Sequence, residues 1–417
     1  MTETEFPAWS RLPVDLQHQY FEHARAEYLK CKRLLIEQAK KLTEYKKLLE
    51  FKPLPEGDAW KSWRIAAVDG SYSPTLSERV GARFGVYQAG YMIFNGDELS
   101  HEHYESGELA EEQRGDPELT KRIVRLFCNK LEREAALKCL EEDKADLILV
   151  DGSLFAFRIG LSATGVRSHP INDERFKNIG DLANYIRDMT FDLLRSGKVF
   201  GVIKRVRQAA LDGYVFYRLM SQEMTGKIYL APQLCEAAEE LKRKKCIGTN
   251  DKAILASMMP SHSWFAYEWL PAFSSGDFDS FNRFTGAYDK EPGTPDDVLG
   301  RAKDFLAAAT KRNLQCNPSD IRTSRYYIRA FAEAPPFCFE TKPGVDVTNV
   351  LQYFSANCNP ATGLPFPIDL VDENVSVPER FTREFMEEVE ANLIRDKEME
   401  GIDLSNYFMS INPQKEE

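Results

Sequence analysis

"RIAAVDGSYS" at residues 64–73 and "LILVDGSLFA" at residues 147–156 share four residues, Val-Asp-Gly-Ser, each at the end of a short apolar run. Ile65, Ala66, Ala67 and Val68 lead to Asp69; Leu147, Ile148, Leu149 and Val150 lead to Asp151. Apolar runs without polar alternation mark strands covered on both faces. A carboxylate at the end of such a strand is costly to bury without a partner. Two of them side by side resist joint ionisation. One shared divalent cation resolves both problems. Gly70 and Gly152 allow a tight turn or a close approach of backbone, and Ser71 and Ser153 can donate hydrogen bonds to a carboxylate or phosphate. Either copy alone is also an ordinary Asp-Gly turn after a strand. The pair, in its strand order, points to a site.

The stretch between the two copies supplies that order. Residues 83–95 and 98–106 read as a hairpin about Asn95-Gly96-Asp97. Residues 116–142 read as a helix. Asp116 caps it, Pro117 sits in its first turn, and Leu119, Ile123, Leu126, Phe127, Leu131 and Ala135 form its inner face. After the second copy come a helix near 180–196 and a strand at 198–205. Strand, hairpin, helix, strand, helix, strand is similar to the order of ribonuclease-H-like folds, in which the first and fourth strands are neighbours. The expected class is therefore α/β, a ribonuclease-H-like mixed sheet flanked by helices.

Around this core, residues 14–51 read as one long helix. Tyr20, Phe21, Ala24, Tyr28, Cys31, Leu34 and Leu35 recur at spacings of mostly three and four, and Pro53 and Pro55 end the run. Such a stripe serves a packed core, a dimer or a partner. Residues 209–300 read as a central insertion rich in aromatics, with residues 297–313 helical after it. Strands at 324–332 and 336–341, a helix at 346–356 and a last helix at 378–397 complete a main domain over 52–397. The tail at 398–417 reads as loose.

Composition removes several classes. The 417 residues carry a net charge of −11, so the chain is no general basic coat for nucleic acid. A polyanion has to meet a local basic groove or metal ions. The eight cysteines form no CxxC pair and there is no HExxH, which argues against structural zinc and a disulfide framework. The start "MTETEFPAWS" has no secretion-signal pattern, and no apolar run approaches the ~18 residues of a membrane span. The expected location is the cytoplasm. No GxxxxGK[ST] is present, so the chain is not expected to hydrolyse ATP itself. The six histidines form no evident ligand pair; His101 and His103 read as surface positions on a strand.

A metal site of this type needs a third carboxylate. Glu132 lies on the helix before the second copy, at the border of the face made by Cys128, Leu131 and Ala135. Glu134 points about 200° away and reads as solvated. Glu105 and Glu108 are the alternatives. Candidate DNA contacts are the basic runs Lys242–Lys245 and Lys198, Lys204, Arg205, Arg207, with the aromatics between Trp264 and Phe284. A solvated face is the more usual reading of such charge runs, and packing the more usual reading of such aromatics.

"AAVDGS", "LE" on a helix, "LILVDGSL", "GVIKR", "YYIRA" and "GLPFPIDLVDENVSV" follow one another in an order that resembles NurA-type nucleases, over roughly 60–395. The resemblance implies a nuclease dependent on Mn²⁺ or Mg²⁺. It implies internal cleavage of single-stranded DNA, degradation of DNA ends from the 5′ side, a homodimer, and work beside a hexameric HerA-type translocase ATPase. Carried over, Asp69, Glu132 and Asp151 are metal ligands. Lys204 holds a phosphate near them, and Arg329 in "YYIRA" stands close by. Where the family often has a histidine, this chain has Asp372, which offers oxygen in place of nitrogen. Two other readings remain open: a catalytically inactive adaptor for a motor ATPase, and a phosphotransferase with an actin-like core.

Overall fold

The structure is a computed structural model that describes residues 12–79, 82–112, 115–158, 161, 165–205, 246–267, 310–317 and 320–399, with scattered positions from 206 to 245 and Ala308. The apolar run at 65–68 lies in β2 (Arg64–Tyr72), and the run at 147–150 in β6 (Leu147–Asp151). All eight apolar residues are buried. The two strands pair in parallel, Ile65 with Leu147 through Val68 with Val150. β4 (Ala82–Asn95) and β5 (Glu98–Glu112) form the hairpin, joined through Gly96, whose φ of +66° suits glycine. α2 (Pro117–Glu141) begins as expected, with the Asp116 side chain accepting from the backbone N–H of Glu118. α3 (Ile179–Ser196) ends at Gly197 in the left-handed region and leads into β7 (Val199–Ile203), parallel to β6. The row β5-β4-β2-β6-β7 is the ribonuclease-H-like core.

Further strands extend both sides: β1 (Lys52–Pro53), β3 (Ser77–Arg79), β8 (Ser263–Tyr267), β9 (Ser324–Arg329) and β10 (Phe337–Thr341). The order along the ten-strand sheet is β1-β8-β9-β10-β7-β6-β2-β4-β3, with β5 on β4. β8 falls inside the stretch read as an insertion, yet it pairs with β9 and adds to the main sheet.

Alternation along the strands sends side chains to two cores. Ala66, Val68, Ile148, Val150 and Val199 face α2 and α3. Ile65, Ala67, Leu147, Leu149, Phe200 and Phe339 face α5 (Thr348–Asn357) and α6 (Phe366–Val375). Each buried aliphatic side chain contributes about 1.5–3 kcal/mol, so a one-residue slip of β2 would exchange the two sets and is strongly disfavoured. A third cluster joins Tyr45 and Leu49, at the end of α1 (Val14–Leu48), to Leu255 of α4 (Asp251–Met258) and to Phe265 and Tyr327. α7 (Phe381–Arg395) closes the described fold. Among the described residues, no helix is long and apolar enough to cross a membrane.

Candidate active site

Because β2 and β6 run parallel in that register, Asp69 and Asp151 stand side by side just past the last parallel pair, on the α6 face; Asp151 ends β6, whereas β2 runs on to Tyr72 along β4. α6 brings the third acid. Its Ile368, Val371 and Val375 are buried over the sheet, and Asp372 follows on the rim. Three hydrogen bonds fix its C-terminal end. Gln88 Nε2 donates to the Val375 carbonyl at 2.9 Å, Asn374 Nδ2 donates to the Tyr104 hydroxyl at 3.0 Å, and the Val377 N–H donates to Ser71 Oγ at 3.0 Å.

Oxygens of Asp69, Asp151 and Asp372 lie within 4.8 Å of one another. Lys204, the first residue past β7, reaches into the group: its Nζ is 3.0 Å from Asp151, 3.0 Å from Asp372 and 3.9 Å from Asp69. Asp69 is 4% exposed, whereas the Asp372 side chain is 58% exposed, so the site opens to solvent on the α6 side. Burial, then the charges of Asp151 and Glu132, holds the Asp69 carboxyl well above the usual carboxylate range. Burial also raises Asp151, against the pull of Lys204. For Asp372 burial opposes the charge, but bonding to Lys204 and Asp69 outweighs it and the carboxyl lies below its usual value. Burial likewise works against the Lys204 ammonium, and Asp151 and Asp69 overcome it and raise its pKa.

Glu132 approaches from the other side of the sheet. A Cβ placed on Gly70 would come within 2.8 Å of the Glu132 Cγ and 2.9 Å of its Oε1, so glycine after Asp69 makes room for this side chain. Arg133 Nη1 donates to Glu132 Oε2 at 3.3 Å and Arg133 Nη2 to the Leu154 carbonyl at 3.1 Å. Burial, against the pull of Arg133, pushes the Glu132 carboxyl up to about 7. Glu132 thus borders the three-aspartate group through Gly70 without belonging to it. Glu105 and Glu108 are exposed on β5, and Glu105 pairs with His103 at 2.9 Å. Glu134 is half-buried, not solvated: it pairs with Lys130 at 2.8 Å and accepts from Tyr185 at 3.2 Å.

The turn after Asp151 is held by a residue that pattern reading missed. Glu340 of β10, 1% exposed, accepts from Ser153 Oγ and from the Leu154 N–H, both at 2.7 Å, and pairs with Arg325 at 3.2 Å. The available signal was a glutamate directly after the apolar run Phe337-Cys338-Phe339. Gly152 takes a φ of +87°, and its carbonyl passes so close to Gly201 of β7 that a Cβ there would lie 2.7 Å away.

Arg329 is engaged by backbone carbonyls. Its guanidinium donates to the carbonyls of Ala256 and Met259, at the end of α4, and to those of Phe331 and Ala332. Lys198 Nζ is taken by the Ala145 carbonyl at 3.0 Å. Phe265 is buried and Trp264 packs on Tyr326 with centroids 6.2 Å apart. The aromatics from Trp269 to Phe284, Arg207, Lys242 and Lys245 lie outside the described residues.

The donor set suits a hard divalent ion. It is all oxygen, and it comes from three separate elements. Asp69, Asp151 and Asp372 are the residues placed to hold such an ion, with Lys204 beside them.

Residues 64–377 match the NurA domain. None of the curated proteins matches the chain. Among solved structures, the NurA nuclease from Sulfolobus solfataricus is similar with a TM-score of 0.53 and 14% identity, over 92% of this chain and 98% of that one. A crystal structure of NurA with manganese gives a TM-score of 0.37 and 15% identity, over 91% and 99%. At these identities the first likeness is one of fold.

Proposed function

Since the chain belongs to the NurA family, we propose that it is a metal-dependent deoxyribonuclease that cuts single-stranded DNA internally and shortens DNA ends from the 5′ side. The observation that carries this reading is the meeting of Asp69, Asp151 and Asp372, with oxygens within 4.8 Å, just past the paired stretch of two parallel strands and on a helix over them. Family membership and the oxygen donors favour Mn²⁺ or Mg²⁺ as the ion. When bound, it would supply an activated water and stabilisation of the leaving oxygen in a phosphodiester hydrolysis, on the two-metal pattern where two ions bind.

The protein's own groups have distinct parts in this reading. Asp69 and Asp151, fixed by paired strands, hold the ion at a set place, and Asp372 adds the solvent-facing oxygen. Glu132, across Gly70, stands ready as the carboxylate of a second ion or as a proton acceptor. Lys204 is the cation that meets a phosphate oxygen as a point charge. The Glu340 contacts keep the Asp151 turn from drifting, which matters because small misplacements of reacting groups cost large factors in rate. The chain is proposed to work in the cytoplasm as a homodimer with a HerA-type hexameric translocase ATPase, in DNA end processing or in defence against phage.

Asp69→Asn and Asp151→Asn keep side-chain size and remove charge. Each is expected to lower Mn²⁺-dependent cleavage of a labelled single-stranded oligonucleotide by roughly a thousandfold, about 4 kcal/mol of transition-state stabilisation. Wild-type protein inert with Mn²⁺ and Mg²⁺, or variants cutting at the wild-type rate, would sink the reading.

A further inference from the structure

The Lys204 ammonium stands among the three aspartates, 3.0, 3.0 and 3.9 Å from their oxygens. We propose that Lys204 is a built-in counter-cation of this site, one that a divalent ion displaces on binding. The inference rests on the reading of the site as a metal centre.

The argument is one of space and charge. An ion of the Mg²⁺ type contacts its oxygens at about 2.0–2.1 Å. To touch oxygens of Asp69, Asp151 and Asp372 together, it must stand in the space the ammonium fills. Two cations cannot share that space, so one leaves. Three carboxylates without a cation would repel one another in a half-buried place, and Lys204 relieves that repulsion from within the chain. The backbone does not have to move for the exchange. The Lys204 carbonyl is held by Lys252 Nζ at 2.8 Å, and Val202 and Ile203 beside it pair with Phe339 and Cys338 of β10. Four methylene groups let the ammonium swing out to the side that Asp372 leaves open. Released, the charge stays at the mouth of the site, where a phosphate would arrive with the ion. Loading with metal and readiness for an anion are then a single event.

The test uses the full chain without DNA. Mn²⁺ is titrated by calorimetry into wild-type protein, Lys204→Met and Arg205→Met. Arg205 is exposed and acts on Asp372 only at longer range. Lys204→Met is expected to bind Mn²⁺ about tenfold more tightly than wild type, with Arg205→Met within about twofold. Equal or weaker binding by Lys204→Met, or the same gain in both variants, would overturn the proposal. A second measurement needs no variant. In wild-type protein, acetylation of the Lys204 amine, read by peptide mass spectrometry, is expected to be slow without Mn²⁺ and several-fold faster with it; an unchanged rate counts against displacement. Failure of wild-type protein to bind Mn²⁺ at all, with no difference from Asp151→Asn, would instead remove the metal-site reading itself.

Discussion

Glu132 shows what a single buried carboxyl does to the whole chain. In the fold its pKa is pushed up to about 7, chiefly by burial, whereas an unfolded chain ionises it near 4.5. Between those values the folded protein keeps a proton that the unfolded chain has lost. Its contribution to stability is therefore fully present below about 4.5 and is lost as pH rises through about 7. In chelator, the urea midpoint of wild-type protein is expected to fall from pH 5 to pH 8, and Glu132→Gln to flatten that fall. A variant as pH-dependent as wild type would count against the assignment. The residues of the site were unevenly legible. Asp69 and Asp151 are announced by the apolar runs before them, because the cost of burying a charge makes such a placement informative. Asp372 and Lys204 came only through resemblance. Glu340 stayed hidden because its partners Ser153 and Arg325 are 187 and 15 positions away and no local pattern joins them.

At the scale of elements, the crossing of the Asp151 turn over β7 is the tightest constraint. Gly201 lies under the Gly152 carbonyl, and a methyl group there would meet backbone at 2.7 Å. Gly201→Ala is expected to destabilise the protein by about 1–3 kcal/mol and to lower cleavage at least tenfold, measured by chemical denaturation and oligonucleotide assay. Unchanged values in both would show that the crossing yields. Periodicity revealed most elements, including the hairpin and α2 with its cap. No helix is expected over 366–375 from the sequence, where Pro365 and Pro367 flank the start of α6. Pro367 in fact sits in the first helical turn, where the missing N–H costs nothing. β8 was missed because it lies in the stretch read as an insertion; the packing of Phe265 and of Trp264 on Tyr326 is the ordinary reading of these aromatics.

At the scale of the whole molecule, α1 stands out by its length. It spans about 50 Å, and among the described residues its last turns pack on the body, through Leu42, Tyr45 and Leu49. Val14, Phe21, Tyr28, Leu35, Leu42 and Leu49 follow one another every seven residues. The first four are exposed, Leu35 by 64%. A seven-residue apolar repeat is the pattern of a helix that packs against another helix, which fits the proposed homodimer. The double variant Tyr28→Glu, Leu35→Glu, at two exposed positions of the repeat, is expected to keep the wild-type melting temperature within about 2 °C and to sediment as a monomer. A dimer that survives would place the contact elsewhere.

The three acids lie at positions 69, 151 and 372 of 417, and that spread governs when the centre comes into being. A chain emerging from the ribosome displays its first two aspartates early. It gains the third only 221 residues after the second. A polypeptide cut short before Asp372 therefore lacks a complete centre, and the proposed cutting activity has to wait for the helix that carries that residue.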